Sequence, residues 1–276
     1  MNPEDPEQGQ DRDAISDHAR MAAELLFQAR RSCRPLDDGL PEQLRPATLE
    51  EGYEVQAALV RAWGATPRGY KIGCTSELAQ RALGVSQPFA GRVLETGLLE
   101  SPAVFAPADY IFHLLEPEFA FGLRDPLPPR PEPYDRDEVA AAVDLAYPAI
   151  EVVTSSYGTA WSEVGAVQLI ADNAAHALLV LGRGSAGWCD FDLAAQRVEL
   201  RIDGEVVTDG QGANALGHPL AALTWLANDR ARRGRGLLAG EIVTAGVVTG
   251  LRDLQPGQTA LADFGPLGEV ELRAAA

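Results

Sequence analysis

The stretch Leu115-Glu116-Pro117-Glu118-Phe119-Ala120-Phe121-Gly122-Leu123 alternates without a break. On a strand, side chains two apart share a face. Glu116, Glu118, Ala120 and Gly122 therefore stand on one side, and Phe119, Phe121 and Leu123 on the other. The aromatic side belongs to a core. The opposite side carries two carboxylates among small residues, and like charges that close repel unless water, a counter-charge or a cation lies between them. Hard oxygen donors with room for water suit Mg²⁺ or Mn²⁺. A solvated strand face with two ordinary glutamates shows the same pattern. Glu151 favours the cation, because it sits in the apolar run Ala149-Ile150-Glu151-Val152-Val153, where an unpaired buried carboxylate is costly. Alternation within each run does not say whether the two runs meet.

Working outward, the chain after about residue 90 is a series of short β-runs separated by Gly and Pro: 116–123, 148–154, 176–181, 197–203, 205–208, 241–248, 259–264 and 268–273. Asp203-Gly204 between two of them is a hairpin signal. One helix is expected from Asp135 through Ala146 and another from His218 to Arg232. Before residue 90 the pattern is mainly helical. Ala19, Ala22, Ala23, Leu26 and Ala29 recur at three or four. Thr48 and Glu51 have capping-box spacing ahead of Val55 and Leu59, with Gly64 as the stop. Gly69 to Gly73 reads as a strand, and Ser76 to Leu83 as a short helix ended by Gly84. The fold class is α+β, a smaller helical N-terminal part followed by a β-rich part. Residues 1–13 read as a disordered tail, 14–90 as an N-terminal α+β region and 91–276 as a second unit.

The 276 residues are 46% apolar and 23% charged, ordinary for a globular protein. The formal net charge of -17 opposes attraction to nucleic acid or anionic lipid. It also opposes an anionic substrate, which then needs a local cation or lysine. No apolar run approaches the ~20 residues that cross a bilayer, so no membrane partner is expected. The acidic N-terminus resembles neither a secretory signal nor a transit peptide, which leaves the cytoplasm as the expected location. Cys33, Cys74 and Cys189 form no CxxC pair, which fits reduced, packed thiols.

Gly69-Tyr70-Lys71-Ile72-Gly73-Cys74-Thr75-Ser76 is the second informative segment. A lysine between apolar neighbours either points inward, as a cation for a carboxylate or an acid/base group, or is an exposed strand lysine. No nucleotide-binding glycine pattern, HExxH or G-x-S-x-G elbow is present.

Taken in order, GYKIGCTS (69–76), LGVSQPFAGRVL (83–94), LEPEFAFGL (115–123), PAIEVV (148–153), LIADNAAHALLVLG (169–182), GHPLAALTWLAN (217–228), LLAGEIVTAGVVTG (237–250) and ADFGPLG (262–268) resemble the 2-keto-4-pentenoate hydratase / 4-oxalocrotonate decarboxylase group of the fumarylacetoacetate hydrolase superfamily. The resemblance spans roughly residues 50–272. It implies a mixed β-roll core, making 91–276 the catalytic domain, and a metal, Mg²⁺ or Mn²⁺, held by Glu116, Glu118 and Glu151. It places Lys71 in the active site as a catalytic and substrate-binding group, and Asp172 of the ADN stretch as a catalytic group or a support behind the ligands. Thr75, Ser76 and Thr249 are implied as substrate-binding hydroxyls. The implied substrate is a small 2-oxo acid, and at least a homodimer is implied.

In that group a 2-oxo acid chelates the metal and an enolate is stabilised next to its carbonyl. A hydratase then adds water to a 2-hydroxy-2,4-dienoate, whereas a decarboxylase releases CO₂. This chain departs from the group's pattern at several positions. Thr154-Ser155-Ser156 stands where Asp-Ser-Arg is usual, Phe89 where hydratases often carry Asp, and Ala245-Gly246-Val247 where Thr-Gly-Ser is usual. The site is therefore expected to be more apolar than its relatives. A hydratase is the leading expectation. A decarboxylase, an acylpyruvate-type C–C hydrolase and a non-catalytic metal- or ligand-binding protein are the alternatives.

Overall fold

The computed structural model describes residues 15–276; the tail expected at 1–13 lies outside the described residues. Helix α1 (Asp17–Ser32) buries Ala19, Ala22, Ala23, Leu26 and Ala29, the face set by the three-and-four spacing. Helix α2 (Leu49–Trp63) begins with the Thr48–Glu51 capping box and stops at Gly64, whose φ is 67°. Leu26, Leu40, Val55 and Leu59 pack between the two helices. Helix α3 (Glu77–Leu83) is short and buries nothing.

The strands form two sheets. The larger has seven, in the order β2 (Phe89–Leu94), β1 (Pro67–Gly73), β10 (Ile242–Val247), β5 (Leu114–Leu123), β6 (Val143–Val153), β7 (His176–Leu181), β3 (Leu98–Glu100). The second runs β4 (Ala103–Phe105), β12 (Glu269–Ala274), β11 (Thr259–Asp263), β8 (Arg197–Ile202), β9 (Glu205–Gln211). Strand β1 pairs parallel with β10 and antiparallel with β2. The regions 14–90 and 91–276 therefore share one sheet.

The core lies between the sheets, against the aromatic side of β5. Phe119 meets Phe264 edge to face at 5.0 Å, and Phe121 meets Trp188 at 6.1 Å. Each fully buried aromatic contributes on the order of 2–3 kcal/mol of transfer free energy. With that face fixed inward, the glutamates of β5 stand on the opposite side of the sheet. The Asp203-Gly204 turn has positive φ at both residues, 51° and 88°, as a two-residue hairpin with this twist requires.

Strands β2, β3 and β4 were not among the expected runs, and two helical segments also differ from expectation. The helix expected from Asp135 to Ala146 ends early: α4 (Arg136–Ala142) gives way to β6 at Val143. There the chain pairs with β5, with one register shift between Gly122 and Leu123, and Pro148 just beyond has no place inside a helix. Pairing outweighs the alanine-rich helical period. Helix α5 (Ala166–Ala171) was not expected, being too short to show a period. Helix α6 (Pro219–Arg232) starts with the His218 side chain accepting from the Leu220 N–H.

Candidate metal centre

Glu116 on β5 is the register partner of Glu151 on β6. Glu118 follows two residues along the same face, and β10 returns on its other side, with Val247 opposite Glu118. One carboxylate oxygen from each of Glu116, Glu118 and Glu151 lies within 4.8 Å of the others. Lys71, on β1 across β10, brings its Nζ to 3.2 Å from Glu151 Oε1. The lysine therefore points inward, and the glutamate face is not solvated. Glu118 and Glu151 are fully buried, whereas Glu116 keeps part of its surface open.

Each buried glutamate gives one oxygen to the protein. Glu118 Oε2 accepts the Gly246 N–H at 2.9 Å. Glu151 Oε1 faces both Lys71 Nζ and His176 Nδ1, the latter at 2.8 Å. The other oxygens, Glu118 Oε1 and Glu151 Oε2, are buried with no hydrogen-bond partner. Buried orphan acceptors are rare in folded proteins. Two of them converging with a third carboxylate fit a hard divalent cation held by oxygen, with outer partners fixing each ligand's orientation.

The electrostatics agree. Burial, then the charges of Glu151 and Glu116, hold the Glu118 carboxyl well above its ordinary range. Burial pushes Glu151 up to about 7 against the opposing pull of Lys71, and it also raises Glu116. Burial alone lowers a lysine, yet Glu151, Glu116 and Glu118 outweigh it and keep the Lys71 ammonium charged. His176 is pushed well down by burial, then by Lys71 and Arg30, so its imidazole is neutral and its Nδ1–H donates to Glu151. A bound cation relieves the mutual repulsion that lifts the carboxyls.

Gly246 is a place where only glycine fits. It sits at φ 91° in the bulge of β10, and a Cβ there would lie 2.1 Å from Thr75 Oγ1. The bulge turns its N–H toward Glu118. Thr75 is buried beside it. Phe89 is buried in a cluster with Leu169 and Ile170. A Cβ built on Gly73 would lie 3.2 Å from the Phe89 ring and 3.6 Å from Lys71 Nζ, so ring and ammonium flank one point.

Three expected site residues are engaged elsewhere. Ser76 is exposed, and its hydroxyl caps α3 by accepting the Ala79 N–H. Thr249 donates to the Gly250 carbonyl, next to a backbone bond to Thr208 of the second sheet. Asp172 is buried, but its carboxylate is taken by Arg30, Ser155 and Ser156. None of these partners belongs to the glutamate cluster. Burial pushes the Cys74 thiol up to about 11, which fits an inert packed side chain. His176 was missed in the sequence, because a lone histidine at a strand start carries no spacing signal.

The model of the fumarylacetoacetate (FAA) hydrolase C-terminal family matches residues 116–274, and the chain belongs to that family. It is 35% identical to 2-keto-4-pentenoate hydratase 2 of Dechloromonas aromatica (strain RCB) over 252 residues, 90% of this chain and 94% of that one. It is 34% identical to 2-keto-4-pentenoate hydratase 1 of the same organism over 87% of this chain and 89% of that one. Among solved structures, 4-oxalocrotonate decarboxylase from Pseudomonas putida G7, complexed with magnesium and adipate, superposes with a TM-score of 0.85 at 27% identity. The match covers 93% of this chain and 97% of that one.

Proposed function

We propose that this chain is a divalent-metal-dependent hydro-lyase that adds water to a 2-hydroxy-2,4-dienoate or a related small 2-oxo acid. One observation carries the reading: two buried glutamates each keep an unpartnered oxygen, and one oxygen from each of them and from Glu116 lies within 4.8 Å of the others, beside the buried Lys71. Two hydratases among its relatives, at 35% and 34% identity, support it.

Glu116, Glu118 and Glu151 would hold Mg²⁺ or Mn²⁺, which supplies Lewis acidity toward the keto group of a 2-oxo acid. Lys71 offers a fixed ammonium for the substrate carboxylate, against the adverse field of the whole chain, and is also placed to pass a proton. Buried Thr75 packs against Gly246, whose N–H holds Glu118, and Thr244 sets a second buried hydroxyl beside that glutamate. In the reaction the dienol proton moves to carbon, and water then adds across the remaining conjugated double bond.

A second reading has its own observation. Phe89 borders Lys71 where a carboxylate would help move water, and an apolar wall beside a bound carboxylate favours its loss as CO₂. The structural likeness to a 4-oxalocrotonate decarboxylase accords with this.

The deciding experiment strips the protein with chelator, restores Mg²⁺ or Mn²⁺, and follows 2-hydroxypenta-2,4-dienoate by ultraviolet absorbance with mass analysis of products. Metal-restored formation of the 4-hydroxy-2-oxo acid supports the hydro-lyase. Released CO₂ from an oxalocrotonate-type substrate selects the decarboxylase, and cleavage of an acylpyruvate into two acids selects the hydrolase. Bound metal with no turnover on any of them leaves a binding protein. No helix among the described residues is long and apolar enough to cross a membrane. A cytoplasmic homo-oligomer completes the reading; sedimentation of the purified chain measures the assembly.

A further inference from the structure

The turn from α5 to β7 puts three successive non-glycine residues in the left-handed region: Asn173 at φ 54°, Ala174 at 54° and Ala175 at 62°. L-residues avoid that region, and such strain persists only where the surroundings over-determine it. Here they do. One guanidinium, from Arg30 near the end of α1, grips both ends of the turn. Its Nε donates to Asp172 Oδ1 at 3.0 Å, its Nη2 to the Asp172 carbonyl at 2.7 Å and its Nη1 to the His176 carbonyl at 2.7 Å. In the middle, Asn173 accepts from the Arg92 N–H at 2.7 Å and donates to the Arg92 carbonyl at 3.0 Å. Asp172 is held from behind by the Ser155 hydroxyl and by the Ser156 hydroxyl and N–H, each at 2.7 Å. These serines follow Glu151 on the same chain segment, where an arginine was expected in the third place. The guanidinium arrives from α1 instead.

What the turn delivers is His176. It is buried and bonds Glu151 Oε1 at 2.8 Å. We propose that Arg30, Asp172 and the left-handed turn they clamp are a positioning device for His176, which fixes Glu151 with Oε1 committed to the protein and Oε2 presented to the cation. The proposal rests on the metal reading above. The role assigned to these residues is positioning: they act through Glu151, which His176 bonds directly. A connection needed only to join α5 to β7 would be met by glycines at no steric cost. An Asn-Ala-Ala turn gripped from an element 142 residues away makes the histidine's place rigid. Loss of an outer partner of a metal ligand typically weakens metal binding about 10- to 100-fold.

The test is Mn²⁺ titration of the chelator-stripped full chain, read by calorimetry and by the paramagnetic resonance of free Mn²⁺. The variants are His176→Leu, His176→Asn, Arg30→Met, the Arg30→Met/His176→Leu pair, and Ala174→Gly/Ala175→Gly. His176→Leu and Arg30→Met should each weaken Mn²⁺ about 10- to 100-fold. The pair should be no weaker than the worse single, since both lie on one path. His176→Asn, which keeps an N–H near the place of Nδ1, should recover most of the loss. The glycine turn, with Arg30 intact, should bind Mn²⁺ several-fold less well at an unchanged melting temperature. Wild-type affinity in Arg30→Met or in the glycine turn, or losses that add in the pair, would overturn the proposal. If Arg30→Met does not fold, the glycine turn and the two histidine variants decide it. A wild-type chain that binds no Mn²⁺ overturns the metal reading and this inference with it. A wild-type chain that binds, with variants that do not respond, overturns this inference alone.

Discussion

Glu118 has no exposed surface and two carboxylates for neighbours. Glu118→Gln keeps its volume and its bond to Gly246 while removing the charge. Mn²⁺ affinity should then fall by more than about 100-fold, beyond what loss of an outer partner costs. Without metal, the variant should melt no lower than the parent, because a buried carboxyl that is costly to ionise has gone. Calorimetry and thermal melts in chelator check both. The pH dependence follows with a definite sign. Folding raises Glu151 to about 7 and lifts Glu118 further, while the unfolded chain releases those protons nearer 4.5. Between those values the folded glutamates hold more protons, but His176, pushed down from its ordinary value of 6.5, opposes this at lower pH. The metal-free protein should therefore lose stability as pH rises from about 6.5 to 8, where only the raised glutamates still release protons. Saturating Mn²⁺ should flatten or reverse that slope, since bound metal favours the ionised carboxylates. Phe89→Asp puts a carboxylate beside Lys71. If water movement limits the reaction, turnover on 2-hydroxypenta-2,4-dienoate should rise at least about tenfold, within the range for a placed acid or base. Steady-state kinetics would show it, and an unchanged rate would mean that Phe89 is not the limiting feature. Glu116 and Glu118 were legible because strand alternation fixes faces. Arg30 and His176 were not, because sequence spacing says nothing of partners 142 or 25 residues away.

At the scale of elements, the bulge of β10 gives the sharpest expectation. Gly246→Ala places a methyl group against Thr75 in a left-handed backbone, and should destabilise the protein by about 2 kcal/mol or more. A Gly246→Ala/Thr75→Ala pair should recover only part of that loss, because the backbone cost and the contact with the residue 75 Cβ remain. Chemical denaturation of the two variants measures it. Most helices and strands were legible from caps and periods: the Thr48–Glu51 box, the Gly64 and Gly84 stops and the Asp203-Gly204 turn all depend on neighbours a few residues away. The start of β6 was not, since 143–146 carries a helical pattern that only the distant ladder with β5 overrides. The register that sets Glu116 opposite Glu151 belongs to the same class of fact.

At the scale of the molecule, a formal charge of -17 surrounds a site built for an anion. Long-range repulsion slows encounter and is screened over about 10 Å at 0.1 M salt. Raising ionic strength from about 10 to 150 mM should therefore raise kcat/KM for a 2-oxo acid, with kcat nearly constant. A fall instead would indicate that the local Lys71 field dominates the approach. The composition made this sign readable before any fold was known, whereas the sheet order was not, because it joins chain segments by pairings that no local pattern records.

The site's parts come from across the chain: Lys71 lies on β1, and the N–H that orients Glu118 belongs to Gly246, 128 residues beyond that glutamate. During synthesis, then, the two helices and the first glutamates emerge long before the strand that completes their surroundings. A nascent chain halted before β10 has carboxylates but no cradle, so it should neither retain Mn²⁺ nor resist protease. If these glutamates hold the cation, its capture should fall among the last events in the birth of this protein, after β10 has emerged.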